Sequence, residues 1–457
     1  MEAFKTWLRS NGFWWNEDAI ELGSRIDEGG GEDAPRVGVK AKRDIEIGES
    51  VARIPSSACF TCENCAHADA VREVKLSAGE GEWLASLGTA LVLERTLGSS
   101  SRWNAYLDSL PHSEPDVVMM WSEDGERRRY LCGTDIEQSL RDERAAARTE
   151  WTRHVKPVLD TLRGAAKDVG FDDFLAARSV ASSRAFTVNP RVGAGLVPIA
   201  DLFNHRTGGH HVYLSDARGT AAVSERDEGS DDDALFVRVV KASKAGEEVF
   251  NTYGELGNAK LLCSYGFAQL DNPADKVTIG VPALRAAAAL RGVSGAQIAT
   301  RLAWCDAIGL CDDETTFELR LGADPPDVLL LVSWVLASTD DRFDAVRAVK
   351  TGGDETSIAA ALKETIESGA RGGLKDESAL GIILETLRRR RGMYVSLPHD
   401  GDETATWKSS LSILLDSERA IISGCERYLE QHGNATDAES KRRKVESPSE
   451  DAFNLFD

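Results

Sequence analysis

A chain of 457 residues, 42% apolar and 28% charged, is long enough for two or three domains with real cores, which excludes a protein that is disordered throughout. A net charge of −21 argues against direct nucleic-acid binding and favours a basic protein or peptide partner, whose encounter rate an acidic field raises. No run reaches the roughly 18 apolar residues that span a bilayer, the first eleven residues lack the apolar centre of a signal peptide, and eight cysteines in so long a chain point to reduced thiols inside a cell.

Residues 4–13 have the spacing of a short amphipathic helix with Trp7 and Leu8 turned inward. Trp14 and Trp15 are expected to pack against the strand that follows. Residues 36–41, 45–49 and 50–55 read as strand, glycine turn and strand, a β-hairpin. Cys59, Cys62 and Cys65, followed by His67, have the ligand types and C-x-x-C spacing that suit zinc. The usual second C-x-x-C pair is missing, and Cys132 or Cys263 would have to complete the set, so no metal is expected.

Residues 80–180 are mostly helical by pattern. Trp83, Leu84, Leu87, Leu91 and Val92 share one helical face. Residues 103–110 form a short element stopped by Pro111, and a charged helix is expected from Asp135 to about Arg163. Residues 225–233 read as an acidic, solvated loop between strands. His210 and His211 with Asp201 lack a third metal ligand at a plausible spacing.

Residues 244–248 form a polar turn in which Gly246 makes a positive φ cheap. Residues 249–253 alternate and read as a short strand, which Gly254 breaks. Residues 258–265 read as one or two helical turns with Leu261, Leu262 and Tyr265 on an apolar face, ended by Gly266. Tyr253 and Tyr265 thus flank a tight turn. A phenolic hydroxyl there can orient a substrate or hydrogen-bond a reacting amine, although core packing alone accounts for two aromatics.

Four stretches, Ser183-Arg184-Ala185-Phe186, Val197 through Asn204-His205, Gly246 through Tyr253-Gly254, and Tyr265-Gly266-Phe267, stand in an order and spacing that resembles the SET-domain protein methyltransferases. The nearer likeness is to the branch typified by the Rubisco large-subunit methyltransferase and the ribosomal-protein lysine methyltransferases. The resemblance implies an α+β fold: a SET-domain β-fold with pseudoknot-like threading and an inserted helical region, followed by an all-α substrate-binding domain. It implies an N-terminal helix over 1–21, a SET domain over 22–254 with the insertion at about 80–180, a segment over 255–282, and the all-α domain over 283–430. Helices are expected in that domain at 284–290, 297–303, 328–336, 358–367, 378–391 and 409–430. Arg388 to Arg391 fall late in one of them, where a helix end favours cations. Residues 431–457 read as a disordered polar tail in which Lys441-Arg442-Arg443-Lys444 looks like a nuclear-import signal.

The implied activity is protein-lysine N-methylation with S-adenosylmethionine, on a non-histone ribosomal or nuclear protein. By resemblance, Arg36, Val37, Gly38, Arg184, Asn204, His205, Tyr253 and Phe267 contact the methyl donor, and Arg36 stands where the family's first glycine usually is. Arg184, Asp201, Tyr213 and Tyr265 would line the lysine channel, and Tyr253 would be catalytic. The resemblance makes His205 structural and donor-binding rather than a general base. A monomer in the nucleus or cytoplasm, with no metal, is expected. Histidine methylation and an inactive SET fold kept as a protein-binding module are the alternatives. A Rossmann glycine motif and a P-loop are both absent from the sequence.

Overall fold

The structure, a computed structural model, describes residues 1–26, 36–79, 83–122, 125–216, 234–348, 355–369, 373–397 and 406–446. It divides into two units. The first takes Met1–Leu131, Ile136–Ala274 and Ser396–Leu414; the second takes Cys132–Asp135, Asp275–Val395 and the described chain from Leu415 on.

In the first unit α1 (Glu2–Ser10) buries Phe4 and Leu8, as its 3.6-residue spacing requires. Eight short strands follow among the described residues: β1 (Trp14–Trp15), β2 (Ile20–Ile26), β3 (Arg36–Ala41), β4 (Ser50–Pro55), β5 (Ala185–Asn189), β6 (Gly193–Leu196), β7 (Val212–Ser215) and β8 (Ala234–Val239). They form three antiparallel sheets, in the orders β1-β4-β8-β7, β2-β3 and β5-β6. Two sequence expectations are corrected here. Trp14 and Trp15 pair with Arg53 and Ala52 of β4, not with the strand next in sequence. Nor do β3 and β4 form a hairpin, because Ile45 between them is buried and bridges to Ser243, which leads the chain from one sheet to another.

The helices of this unit are α2 (Ala68–Ala78), α3 (Trp83–Arg95), α4 (Asn104–Leu107), α5 (Asp135–Glu150), α6 (Lys156–Leu159), α7 (Phe171–Arg184) and α8 (Asn258–Tyr265). Helix α3 is buried on every side from Ala85 to Glu94, so the single apolar face read from its sequence understates its burial. The charged helix expected over 135–163 is broken by a π-helical turn at Trp151–Val155 and ends at Leu159. Arg178 of α7 forms a buried fork with Glu150, at 2.9 and 3.0 Å.

Residues 249–253 do not form a regular strand, because their backbone partners change at almost every residue. The Val249 N–H donates to Val39 O at 2.8 Å, Phe250 O accepts from His211 and Val212, and the Asn251 N–H donates to Asn204 O at 2.8 Å. Arg206 returns a bond to Asn251 O at 3.0 Å, which makes the His205 and Asn251 bridge parallel. The segment is thereby threaded between three separate stretches. Gly266 caps α8 with φ 80, as the sequence predicts. A Cβ there would lie 2.8 Å from the Asp116 carbonyl carbon, so conformation and space both require glycine.

The second unit holds β9 (Val277–Gly280) and β10 (Thr316–Leu319), an antiparallel pair, with α9 (Val281–Leu290), α10 (Gly295–Ala307), α11 (Asp327–Ala337), α12 (Asp340–Arg347), α13 (Glu355–Gly369), α14 (Glu377–Met393) and most of α15 (Thr406–Glu446). All six expected helices are present. The unit is not all-α: the four-residue strands β9 and β10 are too short to show a clear period, and the charged α12 carries little apolar signal. Helix α11 is its core, buried from Leu329 through Leu336. Arg388, Arg389 and Arg391 of the arginine run are exposed, as a solvated helix end requires, whereas Arg390 is mostly buried and pairs with Asp135 at 2.6 Å and Glu418 at 3.1 Å. Helix α15 continues to Glu446, through residues read as tail, because alanine, glutamate, lysine and arginine are strong helix formers. The acidic loop at 225–233 and the end of the tail, 447–457, lie outside the described residues. No helix among the described residues is long and apolar enough to cross a membrane.

Candidate active site

The site begins at a strained turn. Ile199 is fully buried with φ 75 and ψ −52, a conformation that a β-branched residue rarely adopts and that costs about 1–3 kcal/mol. The turn reverses the chain into the 3₁₀ segment Ala200–Leu202, which buries Asp201, and then delivers Asn204 and His205 beside Asn251.

Tyr253 sits in an aromatic stack. Its ring stacks with His205, at 5.0 Å and 27°, and with Tyr265, at 4.9 Å and 28°. Phe186 meets it edge-on at 6.1 Å, and Phe267 packs against both His205 and Tyr265. The Tyr253 hydroxyl donates to Phe203 O at 2.9 Å. That bond uses the proton and aims the phenol, so an arriving amine N–H would meet the acceptor side of the oxygen. The Tyr253 N–H donates to His205 Nδ1 at 2.9 Å, which leaves the ring proton on Nε2 to face Thr207 Oγ1 at 2.7 Å. Burial, helped by His210, lowers the His205 pKa to about 4. His205 is therefore neutral near pH 7 with both nitrogens engaged, which suits an anchor rather than a base.

Asn204 links two stretches. Its Nδ2 donates to Val37 O at 3.0 Å and to Glu248 Oε1 at 2.6 Å. A Cβ on Gly38 would lie 2.7 Å from that Nδ2 and 2.8 Å from the Glu248 oxygen, so a larger residue here would push both side chains aside. Val37 is exposed beside it. The Asn204 amide and the bare backbone of Gly38 thus meet next to His205 and its aromatic neighbours, residue types that suit the polar groups and adenine ring of S-adenosylmethionine. Arg36 opens β3 opposite Ile26.

Asp201 and Arg184 form a second cluster. The Tyr106 hydroxyl donates to Asp201 Oδ2 at 2.6 Å, whereas Asp201 Oδ1 is buried with no hydrogen-bond partner. Burial pushes the Asp201 pKa up to about 6 against the pull of Arg184 and the Tyr106 bond. Arg184 pairs through Nε with Glu114 at 2.7 Å and donates from Nη1 to Asp201 O at 3.2 Å. Burial works against its charge, but Glu114 and Asp201 hold the guanidinium charged. Burial also raises the Tyr265 pKa.

The structure thus gathers Tyr253, His205, Tyr265 and Phe267 in one stack, Asn204 with Val37 and Gly38, and Arg184 with Asp201. Tyr213 is half-buried on β7 opposite Arg238. Sequence reasoning missed Tyr106, Glu114, Phe186 as a ring partner, Thr207 and Glu248. Tyr106 and Glu114 stand 95 and 70 residues from their partners, and no local pattern marks them. The cysteine cluster does not converge: Cys59 faces Pro55 O, Cys62 faces Ser86, and Cys65 faces Cys62 O. Burial raises the Cys65 thiol to about 12, and among the described residues no three His, Cys, Asp or Glu side chains are grouped to hold a metal.

No protein-family model matches the chain. It is 26% identical over 271 residues to the N-lysine methyltransferase setd6 of Xenopus laevis, covering 56% of each chain. It is 28% identical over 282 residues to the chloroplastic [fructose-bisphosphate aldolase]-lysine N-methyltransferase of Arabidopsis thaliana, covering 61% of this chain and 54% of that protein. The matches span about half the length of these curated relatives. The structure of Rubisco LSMT bound to AdoMet superposes with a TM-score of 0.68 at 18% identity, covering 98% of this chain and 97% of that one. The SET domain of LSMT bound to lysine and AdoHcy gives 0.65 at 18% identity, over 98% and 95%. The chain therefore has the α+β fold of those SET-domain structures.

Proposed function

We propose that this chain is an S-adenosylmethionine-dependent protein-lysine N-methyltransferase acting on a basic, non-histone protein. The observation that carries the reading is the phenol of Tyr253, oriented by Phe203 O and clamped between His205 and Tyr265. The similarity to relatives named lysine methyltransferases supports it.

A free lysine has a pKa near 10.4, so presenting it as a neutral amine near pH 7.4 costs about 4 kcal/mol. The chain lowers that cost by desolvation: Tyr253, Tyr265 and Phe186 give the amine apolar walls, and burial disfavours its cation. The Tyr253 oxygen accepts an amine N–H and fixes the lone pair toward the reacting carbon. Bound S-adenosylmethionine supplies an electrophilic methyl on a sulfonium whose charge further disfavours a neighbouring ammonium. Carbonyls in the turn after Ile199 would hold that methyl by weak C–H···O contacts. Asn204, Val37, Gly38, His205 and Phe267 form the donor's side of the site; Arg184, Asp201, Tyr213 and Tyr265 form the substrate's. We assign the second unit to substrate binding, and the Lys441 to Lys444 cluster to nuclear import.

The test is transfer of a radiolabelled methyl group from the donor to proteins of a lysate, followed by mass spectrometric mapping. Label on lysine supports the reading. Label on histidine replaces it with a histidine methyltransferase, and no donor binding by calorimetry replaces it with a binding module.

A further inference from the structure

The lysine-methyltransferase reading leaves the helical insertion without a part in recognition, and the following inference rests on that reading. We propose that Tyr106 and Glu114, both on the insertion, are positioning residues that hold Asp201 and Arg184 in the orientation that receives the substrate lysine.

Tyr106 is fully buried on α4. Its ring stacks on Phe4 at 5.8 Å and on Trp7 at 5.9 Å, so the phenol has little freedom. For packing alone phenylalanine would serve. Instead its hydroxyl makes a 2.6 Å bond to a buried carboxylate, the short kind that a charged acceptor gives. That bond occupies Asp201 Oδ2 and leaves Oδ1 buried without a partner. A buried acceptor left unpaired inside a candidate channel marks where an N–H donor from a ligand belongs.

Arg184 is kept from filling that role. Glu114 holds its Nε at 2.7 Å, and Nη1 reaches the backbone oxygen of Asp201 rather than the carboxylate. Glu114 is itself fixed by its N–H to Ser179 Oγ at 3.1 Å. The loop before it is tied by Arg95, whose two terminal nitrogens each donate at 2.7 Å, to His112 O and Pro111 O. The insertion is thus anchored between Tyr106 and Glu114 and at Glu114 itself.

The groups facing Asp201 are Tyr106 and Arg184, with Cys59 acting on Tyr106 and with Glu114 and Tyr253 acting on Arg184. The Tyr106 O–H stabilises the carboxylate. Removing it therefore moves Asp201 above its value of about 6.

The experiment uses the full chain saturated with S-adenosylhomocysteine, with free L-lysine as the probe and binding followed by NMR saturation transfer across pH 5 to 8. Tyr106→Phe is expected to weaken lysine about tenfold and to move the acid limb of binding to higher pH, with S-adenosylhomocysteine affinity within twofold and a lowered but still cooperative melting curve. Glu114→Gln is expected to weaken lysine comparably. Asp201→Asn should remove the acid limb, and adding Tyr106→Phe to it should cause no further loss, because both act through one carboxylate. If the wild type binds both probes and Tyr106→Phe binds lysine normally, or if its loss adds fully to that of Asp201→Asn, the positioning role alone is overturned. If the wild type fails to bind either probe, the lysine-methyltransferase reading falls first and takes this inference with it. Should Tyr106→Phe fail to fold, Glu114→Gln carries the test, and unchanged lysine affinity in that variant overturns the proposal.

Discussion

Replacing Tyr253 with phenylalanine removes one oxygen and leaves the ring between His205 and Tyr265. Methyl transfer to the mapped substrate is expected to fall on the order of a hundredfold, about 3 kcal/mol, while donor affinity and the melting curve stay near wild type. Near-normal turnover would reduce Tyr253 to a core aromatic. Asn204→Ala should act on the other side of the site. It removes the bonds to Val37 O and Glu248 Oε1, and calorimetry is expected to show donor binding weakened by about 1–3 kcal/mol before the rate at saturating donor changes. Two buried groups here oppose each other in pH. The His205 pKa falls from 6.5 to about 4, so its stabilising share is full above 6.5 and is lost as pH falls through 4. The Asp201 pKa rises from 3.8 to about 6, so its share is full below 3.8 and is lost as pH rises through 6. Asp201→Asn leaves only the first slope. Urea midpoints between pH 6 and 4 are therefore expected to drop more steeply in that variant than in the wild type, and equal slopes would contradict the burial of Asp201 as a titrating group.

At the scale of elements, the threaded segment and the helix after it bind distant parts of the first unit together. Gly266→Ala forces a side chain onto φ 80 and against the Asp116 backbone at 2.8 Å. It is expected to cost at least about 1–2 kcal/mol from the left-handed conformation alone, seen as a lower melting temperature. A fragment ending at Glu248 would lack the Asn251 bonds to Asn204 and Arg206 and the whole Tyr253 stack. It should not melt cooperatively, and a soluble fragment with a sharp transition would refute the threading. What the sequence made legible follows the same division. Helix α8 and its Gly266 cap were readable because local spacing carries them, and the ordered motifs singled out the stretches that hold Asn204, His205 and Tyr253. The partners of β1, β3 and β4, and the reach of Tyr106 and Glu114 into the site, were not. They depend on contacts between stretches tens of residues apart, which no window of neighbouring residues encodes.

At the scale of the molecule, the second unit centres part of its stability on one buried charge. Arg390 pairs with Asp135 and Glu418 and donates to Thr278 O. Arg390→Met removes the counter-charge of two mostly buried carboxylates and is expected to cost about 3–5 kcal/mol, read by calorimetry as a lower transition for that unit. Deleting residues 434–457 should leave methyl transfer intact, because none of the candidate site lies there. Changing Lys441, Arg442, Arg443 and Lys444 to alanine should abolish nuclear enrichment, and unchanged localisation would remove the import assignment. The first unit is also discontinuous: Ser396–Leu414 returns to it after the chain has passed through most of the second, and there Trp407 meets Trp121 edge-on at 6.0 Å beneath Arg127. On a ribosome adding about 5–20 residues per second, Trp121 emerges roughly 15–60 seconds before Trp407 is made. Through that interval an indole destined for the interior lacks its cover in a crowded cell. Slower translation across residues 275–395 lengthens the exposure, so the yield of finished protein depends on codon choice in a region that holds none of the candidate-site residues named above.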